Sequence, residues 1–353
     1  MTLLEYLCAA PKAELHVHLE GSIQPETLLK LARRHKVILP ADTLEGLKDW
    51  FRFRDFHHFI EVYVTITKCL QTVEDFELIV FEFGAELARQ NARYAEVTFS
   101  PGNHKWINNV GQEVYMAGLS QGRATVRETF GVEINWVFDV VRNTPDPLRA
   151  DYTTNVAIEG KAEGVVALGL GGLETGYPPE PFAPWFDRAR AAGLHSAPHA
   201  GELAGPASIW GAIRTLGAER VGHGVRAIED PTLVSYLAEH QLPIETNPSS
   251  NIRLGVYPSL AHHPLRELYE AGVPLTVNTD DPPLFNVTLT DELCLLKDPF
   301  GFDVDAIDTI LLNAVRHSFL PDASKQALET AFIEEMATLK KQLDGQKYLD
   351  IGA

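Results

Sequence analysis

Cysteine is scarce: Cys8, Cys69 and Cys294 are the only three in 353 residues, far apart and in no C-x-x-C pair. That excludes a disulfide scaffold, an iron–sulfur cluster or a thiolate zinc knuckle as the organising chemistry. No apolar run reaches the roughly 18 residues a membrane helix needs. Positive charge is also short, 30 Lys plus Arg against 48 Asp plus Glu, a formal net charge of −18. So acidic a surface repels nucleic-acid phosphates and anionic lipid headgroups, so neither nucleic acid nor a membrane is an expected partner. The opening MTLLEYLCAAPKAELH has no basic start, and Glu5 breaks its apolar run. No secretory signal is expected there, and the expected location is cytoplasmic.

The remaining composition is that of a globular protein, 45% apolar and 22% charged, which disfavours disorder and leaves ample core. Eight short runs rich in Val, Ile, Phe and Ala read as strands. They are ELHVH (from Glu14), RYAEVTFS (from Arg93), VEINWVFDV (from Val132) and GVVALGL (from Gly164). LHSAPHA (from Leu194), ERVGHG (from Glu219), LPIETN (from Leu242) and VPLTVNT (from Val273) complete them. From the second onward they recur every roughly 30 residues, the pitch of a strand plus a helix. Helices are expected at Pro181–Ala192, Ala207–Leu216, Pro231–His240 and Pro264–Ala271, several behind an entry signal such as Asp230 before Pro231. Eight β/α units without a compositional break predict one α/β domain over residues 1–353, a (β/α)8 barrel of the TIM type. The longer gap after the first strand predicts a helical insertion over about residues 20–90 that roofs the mouth, and two closing helices are expected after Asp303.

His16 and His18 alternate on a predicted strand and so share a face, the interior of a barrel. Two inward imidazoles side by side are costly unless a partner such as a divalent metal binds them. Other predicted strands end in His199-Ala200-Gly201-Glu202, Gly222-His223-Gly224 and Asn278-Thr279-Asp280-Asp281. In a barrel these ends meet at one mouth, where two imidazoles, a third from another strand and a carboxylate make a nitrogen and oxygen shell suited to zinc. Taken singly, GHG also reads as a turn with a packed histidine, and TDD as a helix cap before Pro282-Pro283. Their coincidence at one rim favours the metal.

The segments PKAELHVHLEGSI, PHAGE, RVGHGVRA, NPSSNIRLG and VNTDDPPLF, in order from Pro11 to Phe285, resemble the signatures of the adenosine deaminase family, the purine-deaminase branch of the amidohydrolase superfamily. The resemblance implies a zinc-bearing barrel with one Zn2+ per chain on His16, His18, His199 and Asp280. It implies catalytic roles for Glu202, His223 and Asp281, contact of Gly172 with purine N3, and a substrate-binding role for Asp281. Zinc brings the pKa of a bound water towards 7. His223 and Asp281 are expected to orient that water and accept its proton. Glu202 is expected to donate to purine N1, which makes C6 electrophilic and lets ammonia leave.

Three departures bear on substrate. His18-Leu19-Glu20-Gly21 stands where adenosine-specific animal members have HLDG, and Glu20 is the position expected to meet the ribose 5′ end. Leu170-Gly171-Gly172-Leu173-Glu174 replaces an LAGDE-like segment, and NPSSNIRLG begins at Asn247 rather than Cys. These features resemble bacterial relatives acting on adenosine with altered 5′ groups, such as aminodeoxyfutalosine. The expected partner is therefore a small purine nucleoside. Adenine as substrate, or a nucleoside-binding barrel without turnover, are the alternatives. Roof aromatics Phe51, Phe53, Phe56, Phe59 and Tyr63, with Trp106, are expected either to close over a purine or to form core, core being favoured. Gly222 to Ala227, with Glu245 beyond, outlines a dinucleotide fingerprint, but the next helix begins at Asp230-Pro231, past the glycines. H-x-E with P-C-x-x-C, and H-E-x-x-H, are both absent, which removes the cytidine-deaminase type of zinc site and the usual zinc protease.

Overall fold

The computed structural model describes residues 1–52, 56–144 and 146–349. Its strands are β1 (Lys12–His18), β2 (Ala92–Phe99), β3 (Glu133–Val141), β4 (Val165–Gly171), β5 (His195–Ala200), β6 (Val221–His223), β7 (Ile244–Thr246) and β8 (Leu275–Val277). Each overlaps a run read as a strand from sequence. They pair in parallel in chain order from β1 to β8. Nearly every strand residue is buried, as expected when helices cover the outside and side chains fill the inside. The ring is drawn together where β8 meets β1. Val17 bridges to Asp280, the His18 N–H donates to the Asp280 carbonyl at 2.8 Å, and the Asp280 N–H donates to the His16 carbonyl at 3.1 Å.

Helices lie at Ala183–Ala191, Pro206–Leu216, Pro231–Glu239 and Leu265–Glu270, close to the expected bounds. The long gap after β1 holds four helices, Pro25–His35, Leu44–Phe51, Phe56–Lys68 and Val73–Arg89. They take two different places. Val73–Arg89 buries Phe76, Ile79, Val80, Phe83 and Leu87, a helical stripe, against the Gln112–Phe130 helix and β2, so it belongs to the barrel's outer layer. Phe56–Lys68 covers the mouth. A capping box of Thr72 and Asp75 starts the outer helix, and the same carboxylate pairs with Arg34 and His35, which ties the insertion together. Val304–Arg316 packs on β8 and β1, and Asp322–Leu349 packs on that helix in turn. Phe51 is buried core, whereas Phe53 and the Phe56 side chain lie outside the described residues. Among the described residues, no helix is long and apolar enough to cross a membrane.

Candidate metal centre and active site

The seam between β8 and β1 brings chemistry together as it shapes the ring. His16 and His18 leave β1 on one face, His199 sits at the end of β5, and Asp280 follows β8 with φ at +65°. His18 Nε2 and His199 Nε2 are 3.2 Å apart, and Asp280 Oδ1 lies 3.4 Å from His18 Nε2 and 3.6 Å from His16 Nε2. The donor atoms of His16, His18 and His199 fall within 4.8 Å of one another, as do those of His16, His223 and Asp280. His16 Nε2 is buried with no hydrogen-bond partner. An imidazole nitrogen orphaned at the focus of two further imidazoles and a carboxylate fits a divalent cation, and a thiolate-free nitrogen and oxygen set suits zinc.

A second layer holds these side chains. His16 Nδ1 contacts Glu245 Oε2 at 2.8 Å, and Glu245 and Glu96 together take the buried Arg220 guanidinium, which lies 3.9 Å over the Phe319 ring. Burial works to raise the Glu245 carboxyl, but Arg220 and His16 more than reverse it and hold it below the ordinary range. An ionised Glu245 fixes a proton on His16 Nδ1 and leaves Nε2 free to bind a cation. Ser250 Oγ donates to Asp280 Oδ2 at 2.6 Å.

Glu202 is nearly buried in the loop after β5. Burial first, then the neighbouring Asp280 and Glu174 charges, push its carboxyl well above the ordinary range. That loop is clamped by Glu174, whose two oxygens accept from the backbone N–H groups of Gly201, Glu202, Leu203 and Ala204 at 2.6, 3.0, 2.7 and 2.8 Å. Arg142 supports the same stretch by donating to the His199 carbonyl at 2.9 Å.

His223 is 1% exposed, and its Nε2 lies 3.7 Å from Glu202 Oε1 and 3.9 Å from Asp280 Oδ2. On its other side the amide groups of Asn251 and Asn247 reach Nδ1 at 3.2 and 3.3 Å. Asn251 Oδ1 accepts from His263 Nε2 at 2.9 Å, and His263 Nδ1 accepts from the Leu265 N–H at 3.2 Å. This chain starts at a backbone N–H and leaves His223 Nδ1 an acceptor, so the neutral ring carries its proton on Nε2, facing the centre. Burial lowers the His223 pKa to about 3 against the pull of Asp280, with His16 adding to the fall. Asp281 is buried, and its Oδ1 has no partner. Room for it depends on Gly21, where a Cβ atom would stand 1.6 Å from that oxygen.

These groups form one wall of a cavity of about 330 Å³. His18, His199, Glu202, His223, Asp280, Asp281 and Gly172 all line it. Gly172, with φ at +85°, faces it across from Asn143. Glu20 lies behind the wall. It is fully buried, with Oε1 taking the Ser100 N–H and His104 Nε2, and Oε2 taking the Tyr63 hydroxyl at 3.0 Å. Tyr63 and Phe59 line the cavity, and Phe59 stacks on Phe285. Trp106 is 37% exposed, edge-on to Tyr152. Sequence reasoning passed over His263 and Arg220, named Glu174 only as the end of a departing segment, took Asn251 with Ser249 and Ser250 for a mouth loop or a turn, and read Glu245 only as a dinucleotide acid. An acid on a short interior strand, as in LPIETN, was the one available signal for Glu245.

Residues 11–335 match the family model described as adenosine deaminase. The chain is 40% identical over 326 residues to aminodeoxyfutalosine deaminase of Streptomyces avermitilis, covering 92% of this chain and 90% of the relative. It superposes on the crystal structure of adenine deaminase from Arthrobacter aurescens with a TM-score of 0.87 and 32% identity, covering 94% of this chain and 100% of that one. An amidohydrolase from Burkholderia ambifaria with bound zinc gives a TM-score of 0.90 at 25% identity, covering 97% of this chain and 94% of the other.

Proposed function

The chain belongs to the adenosine deaminase family and is a hydrolytic deaminase, and from that premise we propose that it converts the 6-amino group of an adenine nucleoside to a 6-oxo group with release of ammonia. The substrate is adenosine or a 5′-modified adenosine such as aminodeoxyfutalosine. The observation that carries this reading is the placement of the buried Glu202 carboxyl, pushed upward by burial, in the wall of a cavity that also presents three imidazoles and Asp280. A zinc ion on His16, His18, His199 and Asp280 would supply a water of lowered pKa at that wall.

The chain's own groups do the rest. Glu202 donates its proton to purine N1, which draws electron density from C6. His223, neutral and bearing its proton on Nε2, orients the incoming water as a donor. The proton released as that water adds to C6 goes to Asp281, whose Oδ1 is otherwise without a partner and whose affinity for a proton is raised by burial and then by the Asp280 charge. It then passes to the departing amine, which leaves as ammonia, while the proton of the new C6 hydroxyl returns to Glu202 as the 6-oxo group forms. Gly172 offers its backbone to the purine edge. Glu20 acts through Tyr63, which lines the cavity while Glu20 does not. Beyond the purine, Ser100, Asn103, Asp139, Asn143 and Thr144 provide hydrogen-bonding groups on the scale of a sugar, which supports a nucleoside over free adenine.

The test is a substrate panel of adenosine, 5′-deoxyadenosine, methylthioadenosine, aminodeoxyfutalosine and adenine, followed by the absorbance change on loss of the 6-amino group. Turnover of one or more nucleosides well above adenine is expected. Adenine alone as substrate, or no turnover of any, overturns the reading.

A further inference from the structure

Among the described residues, Arg149 is the one lysine or arginine that lines the cavity. In a chain with 48 carboxylates, it makes no ion pair among the described residues. It stands in the first turn of the Pro147–Glu159 helix, after β3, beside Leu148, which is 69% exposed. Its guanidinium carbon lies 5.3 Å from the centroid of the Trp106 ring on the Pro101–Asn108 helix, itself edge-on to Tyr152. A stacked guanidinium keeps its edge and its five N–H donors free. The cavity is thus polarised. Acids gather at the buried floor, and one unmatched cation waits at the rim. Between them the wall is largely apolar, with Phe59, Ile60, Val64, Ile107 and Leu254.

We propose that Arg149 is the anion-binding end of the substrate pocket, and that the preferred substrate is an adenine nucleoside whose 5′ extension crosses the apolar wall and ends in a carboxylate. The inference rests on the deaminase reading above, because Glu202 at N1 turns the purine inward and sends the 5′ side outward. A single guanidinium matches the two oxygens of a carboxylate. A phosphate dianion calls for further cations, and among the described residues no other lysine or arginine lines the cavity.

The experiment compares kcat/KM for aminodeoxyfutalosine, whose 5′ extension ends in a benzoate, with that for 5′-deoxyadenosine and AMP, in the zinc-loaded enzyme and in Arg149→Gln and Arg149→Lys. In the unsubstituted enzyme the benzoate-bearing nucleoside is expected to lead. Arg149→Gln should lower the ratio of its kcat/KM to that of 5′-deoxyadenosine by about 30-fold, mainly through KM, the size of a lost charge-assisted hydrogen-bond pair. Arg149→Lys should recover part of that ratio, and 0.5 M salt should narrow it in the unsubstituted enzyme as roughly expected for screened charge. An unchanged ratio in Arg149→Gln, with metal content and melting temperature intact, overturns the anion site while nucleoside turnover keeps the deaminase reading. AMP outrunning the benzoate substrate overturns the carboxylate assignment. Turnover of no nucleoside at all sinks the deaminase reading itself.

Discussion

The floor and the rim of the same cavity are built by opposite means. On the floor His16, His223, Asp280 and Asp281 are almost wholly buried, and most are gripped from behind. His16 is held by Glu245 and Arg220, Asp280 by Ser250, and His223 by Asn247 and Asn251. At the rim Arg149 lines the cavity with the partly exposed Trp106 ring beneath it, and among the described residues it makes no ion pair. Dense packing and repeated hydrogen bonding make the floor intolerant of change and suit a reaction whose geometry must not vary. A sparsely held rim suits selection among molecules that share a reacting end. The contrast implies that floor substitutions act on kcat and rim substitutions on KM.

The largest expected effect is at Glu202. Glu202→Gln should lower kcat by about 1000-fold, within the range of a lost general acid, while elemental analysis still finds one zinc per chain. A loss confined to KM would break the contrast. Next comes Gly21→Ala, whose methyl group must displace the Asp281 carboxylate. A fall in kcat of about 100-fold is expected from such misplacement, with the unaltered KM checked by initial rates. At the rim, Trp106→Ala takes the ring from under Arg149. It should raise KM for a carboxylate-bearing nucleoside by about 3-fold, the scale of an exposed cation–π contact, and an equal fall in kcat would count against the division.

The smallest effect tests how the floor is braced. Burial lowers the His263 pKa from 6.5 to about 4, so the folded chain keeps this ring neutral while the unfolded chain takes up a proton. Between those two values the unfolded state binds more protons, so stability falls as pH is lowered through the window and is fully present above 6.5. His263→Gln should flatten the decline in melting temperature between pH 7 and pH 4.5 by about 2 °C, a size typical of a large domain. An identical decline in both proteins would remove His263 from the brace.

Much of this was legible in the amino-acid order. The eight strands announce themselves because interior strands of a parallel barrel are continuous apolar runs, and each overlaps its expected position. That His16, His18, His199 and Asp280 converge was readable because barrel closure makes neighbours of the ends of three strands, β1, β5 and β8. The roof was only half readable. The apolar stripe of Val73–Arg89 says that this helix is buried, not whether it lies over the mouth or along the wall, and packing against Gln112–Phe130 decides for the wall. The brace was not readable at all. Glu174 meets its four N–H donors 27 to 30 residues on, and Glu245 meets His16 across 229, with no local pattern to mark either pair. Glu20 carried a sequence signal but lies behind Tyr63, because Ser100 and His104 satisfy one carboxyl oxygen and turn it from the cavity.

The ladder that joins Asp280 to the backbone of His16 and His18 has a temporal meaning. During synthesis, the two leading histidines emerge early and must wait through more than two hundred and fifty further residues for the aspartate that faces them. A divalent ion gripped by all of them would bind only once the final stave is set against the first. Such an ion would latch the finished cask, and a chelator should then loosen that joint before any other.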